Sequence, residues 1–229
     1  MRQSSSSQNL QTVPPKPAGP GRPKDPNKRA AILDAARRLF LRHGYDGVSM
    51  DQIAAEAGVS KLTVYSHFGD KSTLFGEVVR AYCEQSLPDA LFEPSPGTPL
   101  RERLLEIASA FFAMVSSPEG IAGHRVLCTP RIDTELPRLF WEAGPQRTLD
   151  AFARLLQRRI EAGELDIPDV GRASSQFFTL LKGEPHARMV MGVCNDPDPG
   201  RIEEHLQASV DMFLRAYASA GRPRTPRGT

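Results

Sequence analysis

GVSKLTVYSHFGDK, residues 58–71, sets a helix-length run between Gly58 and Gly69 with only two side chains suited to burial, Val64 and Phe68. A helix meant to fill a core would bury more of itself. Lys61, Thr63, Tyr65, Ser66 and His67 are left on the outside, and all of them donate or accept hydrogen bonds. The stretch reads as an exposed helix presented to something polar.

The residues just upstream say how it is presented. In SMDQIAAEAGVSKLTVYSHF, residues 49–68, Ser49 and Gln52 form a capping box, and Ser60 caps the next helix. Ile53 and Ala54 face inward, Gly58 permits the sharp turn, and Val59 plugs the junction. This is the anatomy of a helix-turn-helix, whose second helix enters a major groove. Lys61 suits a guanine edge or a phosphate, Ser66 can donate or accept, and Leu62 matches a thymine methyl. Thr63, Tyr65 and His67 suit phosphate oxygens, and Lys71 adds a charge-assisted clamp. Ser49 and Ser60 complete the expected DNA-binding set. A capped helix pair around a glycine also occurs in ordinary helical proteins, where Tyr65 would be half-buried and Lys71 solvated.

Bulk composition narrows the alternatives. The chain has 229 residues, 40% hydrophobic and 24% charged, enough for one large domain or two smaller ones. No apolar run approaches the roughly 18 residues of a membrane span, and the Ser- and Pro-rich start lacks the apolar stretch of an export signal. Cys83, Cys128 and Cys194 are an odd, widely spaced set, which predicts a reduced, cytoplasmic protein with no disulfide framework and no zinc site. The net charge of +2 is unevenly spread. Residues 16–71 carry ten basic and six acidic side chains, the two tails add four arginines, and the remaining body is acidic. A basic module on an acidic body points to a polyanion as the module's partner.

The chain divides into four parts. Residues 1–25 read as a disordered basic arm, 26–88 as the helix-turn-helix domain, 89–220 as a second helical domain, and 221–229 as a basic tail. Asp25 and Pro26 open the first helix, which Gly44 ends; Asp70 caps a fourth helix, and PDALFEPSPG marks the boundary near 87–97. Further helices are expected from Pro99, from Pro118, and over about 135–143, 146–162, 170–191 and 200–219. No period-two alternation occurs, so the fold class is all-α. In the arm, GPGRPK places Arg22 between Gly and Pro, narrow enough for an A·T-rich minor groove, with Lys24 on phosphate. A solvated tail is the alternative.

The run ILDAARRLFLRHGYDGVSMDQIAAEAGVSKLTVYSHFGDKSTLF, residues 32–75, resembles the tetracycline-repressor (TetR) family of bacterial transcription regulators. The resemblance implies phosphate contacts at Thr63, Tyr65, His67 and Lys71, with Lys61, Leu62 and Ser66 toward bases. PRLFWEAGPQRTLDAFARLLQRRIEAGEL (137–165) and QFFTLLKG (176–183) resemble the C-terminal domain of AefR-type members. That implies a ligand-binding and dimerisation domain, with a two-fold interface from the last two long helices. Phe177, Leu180, Leu181, Met189, Leu206, Val210, Phe213 and Leu214 are its expected apolar positions. Phe111, Phe112, Met114, His124, Cys128, Phe140, Trp141, Phe178 and His186 are the expected effector-pocket residues, each equally at home in a packed core.

The function expected is a homodimeric repressor, released from a palindromic double-stranded DNA operator by a small apolar or aromatic effector. The alternative is a redox-sensing regulator acting through Cys128 or Cys194, with Arg125 and Arg131 near the former. An enzyme reading lacks any catalytic set, and no metal, cofactor or membrane partner is expected.

Overall fold

The computed structural model describes residues 25–93, 97–127 and 135–219. The basic arm with Arg22 and Lys24, the C-terminal tail, Cys128 and Arg131 lie outside them. The helices are α1 (Pro26–His43), α2 (Met50–Glu56), α3 (Lys61–Phe68), α4 (Lys71–Ser86), α5 (Leu100–Ser116), α6 (Pro118–Leu127), α7 (Glu135–Ala143), α8 (Pro145–Glu161), α9 (Val170–Val190) and α10 (Pro199–Tyr217). No strand forms among the described residues, where a single bridge pairs Leu165 with Ala218. The all-α fold is the one the sequence predicts.

Local chemistry fixes the first boundaries. Asp25 accepts from the Asn27 N–H at 2.9 Å and Pro26 stands at the first helical position. Both halves of the Ser49–Gln52 capping box are made. Asp70 accepts from the Thr73 N–H at 2.7 Å, and the bonds to Thr73 and Ser72 hold its carboxyl below the ordinary value.

Buried apolar side chains gather into two clusters. One joins Ile32, Phe40, Ile53, Val64, Phe68 and Leu74 across α1 to α4. The other is built on the Phe152–Phe177 stack, at 4.5 Å, with Phe178 and Phe213 packed around it. α4 belongs to both halves: its first turns sit in the smaller cluster, and it also packs on α5 and α7. The stretch expected as a link carries a 3-10 turn, Asp89–Phe92. Leu87 and Phe92 are buried in the larger cluster, so two apolar anchors pin a segment that has no helical period of its own.

No single helix among the described residues is long and apolar enough to cross a membrane. α5 and α6 pass that test only as a pair, bent by 63°, and the apolar face of α5 is buried in the larger cluster.

The sequence pattern ran 170–191 as one helix, but α9 breaks at Gly183, with φ 46° and ψ −154°. Pro185 has no N–H to give the Leu181 carbonyl, and a ring nitrogen of His205 on α10 bonds that oxygen at 3.0 Å instead. A second correction concerns the expected dimer positions. Phe177, Leu181, Met189, Leu206, Val210 and Phe213 are buried within this one chain, because the larger cluster needs them. Of the eight, Leu180 and Leu214 keep partial exposure.

Gly183 is the point where two constraints meet. A Cβ there would lie 2.7 Å from Cε1 of His205, at a backbone angle that side-chain-bearing residues avoid. Gly183→Ala is expected to lower stability by about 1–3 kcal/mol, read as a lower urea midpoint. An unchanged midpoint would show that the break does not constrain α9.

Candidate nucleic-acid interface and internal cavity

α3 buries Val64 and Phe68 and leaves the rest of its surface outside. Gly58 turns the chain at φ 65°, and the Val59 N–H returns to the Ala54 carbonyl at 3.0 Å, closing α2 against α3. Leu62 is 79% exposed and Tyr65 41%, an unusual exposure for apolar side chains on a rigid element.

In the free chain three of the polar side chains of α3, Lys61, Thr63 and Ser66, already have partners. Lys61 pairs with Asp51 on α2 at 2.8 Å, and this bond, more than any other influence, raises the lysine's pKa. The Lys61 ammonium also lies 5.9 Å from the Tyr65 ring centre. Ser66 donates to the Thr63 carbonyl at 2.8 Å, and the Thr63 and Ser60 hydroxyls bond each other at 2.8 Å. Ser49 and Ser60 act as caps, accepting from the Gln52 and Thr63 N–H groups. Both partners of the Lys61–Asp51 pair are more than half exposed, so it is a weak bond that water or a phosphate can replace. His67 is half-buried at the end of the helix, with its ring tilted against Phe68.

Much of the basic surplus on α1 is offset by ion pairs with the chain's own carboxylates. Arg29 pairs with Glu77 and lies over the Phe68 ring, Arg37 pairs with Asp34, and Arg38 joins Asp34 to Glu56. These arginines tie α1 to α2, α3 and α4. Lys71 differs in the same way from the clamp the sequence suggested. Its ammonium donates to the carbonyls of Tyr45 and Val48, at 3.0 and 3.1 Å, and stands 4.2 Å from the Tyr45 ring centre. Two of its three hydrogens fasten α4 to the loop between α1 and α2.

Beyond Tyr45 a cavity of about 510 Å³ opens. The Phe40, Tyr45 and Phe75 rings meet at 5.3–5.7 Å and form its wall on the helix-turn-helix side. α4 adds Val78, Val79, Tyr82 and Cys83, and the opposite wall comes from α5 to α9. Of the expected pocket residues, Phe111, Met114, His124, Phe140, Trp141, Phe178 and His186 line it. Phe112 does not: it is buried in the larger cluster. Trp141 is half exposed and donates to Gln146 at 3.0 Å.

Sequence reasoning missed Tyr82, Cys83, Thr179 and Lys182 on the wall, since they come from helices assigned to other work. Tyr82 donates to the Met114 carbonyl at 2.9 Å, and burial raises its pKa. Burial likewise pushes the Cys83 thiol up to about 11, the opposite of a reactive thiolate. Arg125, expected near Cys128, donates to the Val190 and Met189 carbonyls at 2.7 and 2.9 Å and caps α9. Cys194 is half-buried in the loop that follows α9. His124 and His186 stand edge to face at 5.2 Å. Burial lowers both pKa values, helped by Lys182 at His124 and by His124 and Lys182 at His186.

Comparison with known proteins matches both halves. Residues 32–78 fit the family model of bacterial regulatory proteins, tetR family, and residues 102–219 that of the AefR-like transcriptional repressor, C-terminal domain. The HTH-type transcriptional repressor SCO4008 of Streptomyces coelicolor is 42% identical over 83% of this chain and 76% of its own. A crystal structure of a TetR-family regulator from Mesorhizobium loti superposes with TM-score 0.70 at 32% identity, covering 83% of this chain and 96% of that one. The flavonoid-responsive regulator FrrA superposes at 0.69 with 33% identity, over 85% and 98%.

Two measurements follow from the geometry. Lys71→Ala leaves two loop carbonyls without their charged donor and is expected to cost about 1–3 kcal/mol of stability. A urea midpoint equal to the parent's would mean that Lys71 is not a fastening. The histidine pair gives a pH dependence. Its folded pKa values are depressed, so its contribution to stability is whole above the ordinary value of 6.5 and is lost as pH falls from there through the lower folded values. His186→Gln should flatten the dependence of Tm on pH in that window.

Proposed function

The chain belongs to the tetR family of bacterial regulatory proteins, transcription regulators and not enzymes, and from that premise we propose a homodimeric repressor gated by a small apolar or aromatic effector. Each α3 enters a major groove of a palindromic operator. Lys61 exchanges Asp51 for a phosphate or guanine, Leu62 and Ser66 meet base edges, and Thr63, Tyr65 and His67 hold phosphates. Arg22 and Lys24, outside the described residues, add minor-groove and phosphate contacts. The names of two relatives, a repressor and a flavonoid-responsive regulator, agree with this reading.

The observation that carries the gating is the shared wall of the cavity. Phe40, Tyr45 and Phe75 touch its space on one side, and Lys71 binds the Tyr45 carbonyl on the other. A ligand that shifts Tyr45 or Phe75 therefore shifts the start of α4 and the α3 that precedes it. The ligand changes DNA affinity only by binding the two forms unequally. Dimerisation is assigned to the outer face of α9 and α10, where Met212 is 52% exposed and Leu180 is partly covered.

An operator selected from random duplexes allows three tests. Lys61→Ala removes one cation from each protomer, so it should weaken binding and lower the salt slope of the dimer by about two, with the urea midpoint kept. An unchanged slope would remove Lys61 from the interface. Leu180→Glu with Met212→Glu should give a folded monomer in sedimentation, with operator affinity reduced by loss of the second module. A stable dimer would place the interface elsewhere. An effector should change Trp141 emission saturably and release DNA in the same titration, and operator DNA should weaken effector binding by the same factor. Tight ligand binding with no effect on DNA would overturn the gating.

A further inference from the structure

Most of the cavity wall is apolar, and α6 and α9 add three nitrogen bases to it, His124, Lys182 and His186. Lys182 lies one residue before the break at Gly183, and its ammonium has no hydrogen bond or ion pair among the described residues. His186 follows the break and is 4% exposed, with the Val115 carbonyl beside it. His124 reaches in from α6.

The charges around this group are one-sided. Among the described residues that line the cavity, Glu119 on α6 is the one carboxylate, and its influence falls on Tyr82 of α4. Arg37 on α1 is already paired with Asp34. α4 contributes only Tyr82 and Cys83 as titratable groups, and α5 and α8 contribute none. Among the described residues no carboxylate acts on either histidine, and both feel the Lys182 charge. The site thus sets an ammonium with no partner among the described residues beside two imidazoles whose protonation burial and that same charge disfavour.

We propose that the effector is an acid: an apolar or aromatic body carrying a carboxylate or similarly acidic group, with its anion seated on Lys182 between His124 and His186. The inference rests on the effector-gated reading above and names the chemistry of its ligand. A neutral ligand would close the cavity over an unpaired ammonium, which is unfavourable, and a cation would meet a like charge. An anion reverses both terms. It pairs with Lys182 and favours protonation of the histidines, so each imidazole becomes a donor to it.

Lys182 and His186 stand either side of the break in α9, at the i, i+4 spacing that shares a helix face, and both reach the cavity wall.

The test uses the full chain, Trp141 emission and matched probes: 2-naphthoate against 2-naphthamide, and decanoate against 1-decanol. Each acid should bind about tenfold or more tightly than its neutral partner, as expected for a charge-assisted contact. Lys182→Gln should abolish that preference, weakening the acids about tenfold or more and tightening the neutral probes, which no longer meet an unpaired ammonium. Binding of the acids should tighten as pH falls through the histidine range, because the bound anion raises the histidines' pKa and binding takes up protons. Equal affinity of acid and neutral partner, a preference that survives Lys182→Gln, or no binding of either acid would overturn the proposal. A neutral probe that binds better and releases DNA would overturn it while leaving effector gating intact. An acid that binds by these rules without releasing DNA would support the acid site and remove the gating.

Discussion

One helix, α4, cannot be assigned to either half of the molecule. Its first turns bury Leu74 and Val78 with the side chains that seat α3, and Tyr82 and Cys83 face the cavity. Close-packed clusters do not deform smoothly, so a displacement at one end of such a helix is carried to the other. Lys71 makes the connection stiff at its N-terminal end. An ammonium held by two carbonyls and an aromatic face fixes α4 against the α1–α2 loop in one position. The α3 surface is therefore placed by the same contacts that close the cavity.

The cavity itself is a departure from close packing. Space of about 510 Å³ inside a helical body forgoes dispersion contacts that a filled core would have. The larger cluster offsets this locally with four phenylalanine rings in mutual contact, Phe152, Phe177, Phe178 and Phe213, all inside one protomer. That is the reason the apolar positions of α9 and α10 were misread as interface residues. Helical periodicity reports which face of a helix is apolar and says nothing of whether the covering layer comes from the same chain or from a second copy.

The legible parts of the sequence were those set by local chemistry. Caps at Asp25, Ser49, Ser60 and Asp70 and the glycines at 44, 58 and 69 placed the first four helices, because each signal acts within four residues. The α9 break was legible in principle from Gly183 and Pro185, but its partner His205 is 22 positions away from Gly183 and carries no local mark. Charge was the least legible property. Arg29, Arg37 and Arg38 counted toward a basic surface, and surface ion pairs to Glu77, Asp34 and Glu56 offset their charge. Lys71 and Lys182 illustrate the same gap from opposite sides: one has its charge satisfied by backbone oxygens, and the other has no partner among the described residues.

This distribution of charge bears on how such a module would hold DNA. With the α1 arginines already in surface ion pairs, the cations left for phosphates in one described module before any exchange are few, chiefly Lys28 and Arg42, joined by Lys61 once it leaves Asp51. A single module with few phosphate contacts binds weakly, and its affinity falls steeply with salt only in proportion to that small number. Tight binding then depends on two modules engaging together, where the second contact is made at high effective concentration. In the proposed dimer a ligand need not cover or distort α3 to release DNA. A change in the separation of the two α3 helices is sufficient, because a weak half-site cannot hold the duplex alone. In that reading the shared α4 would be the lever, and the sparse free charge would make the grip sensitive to it.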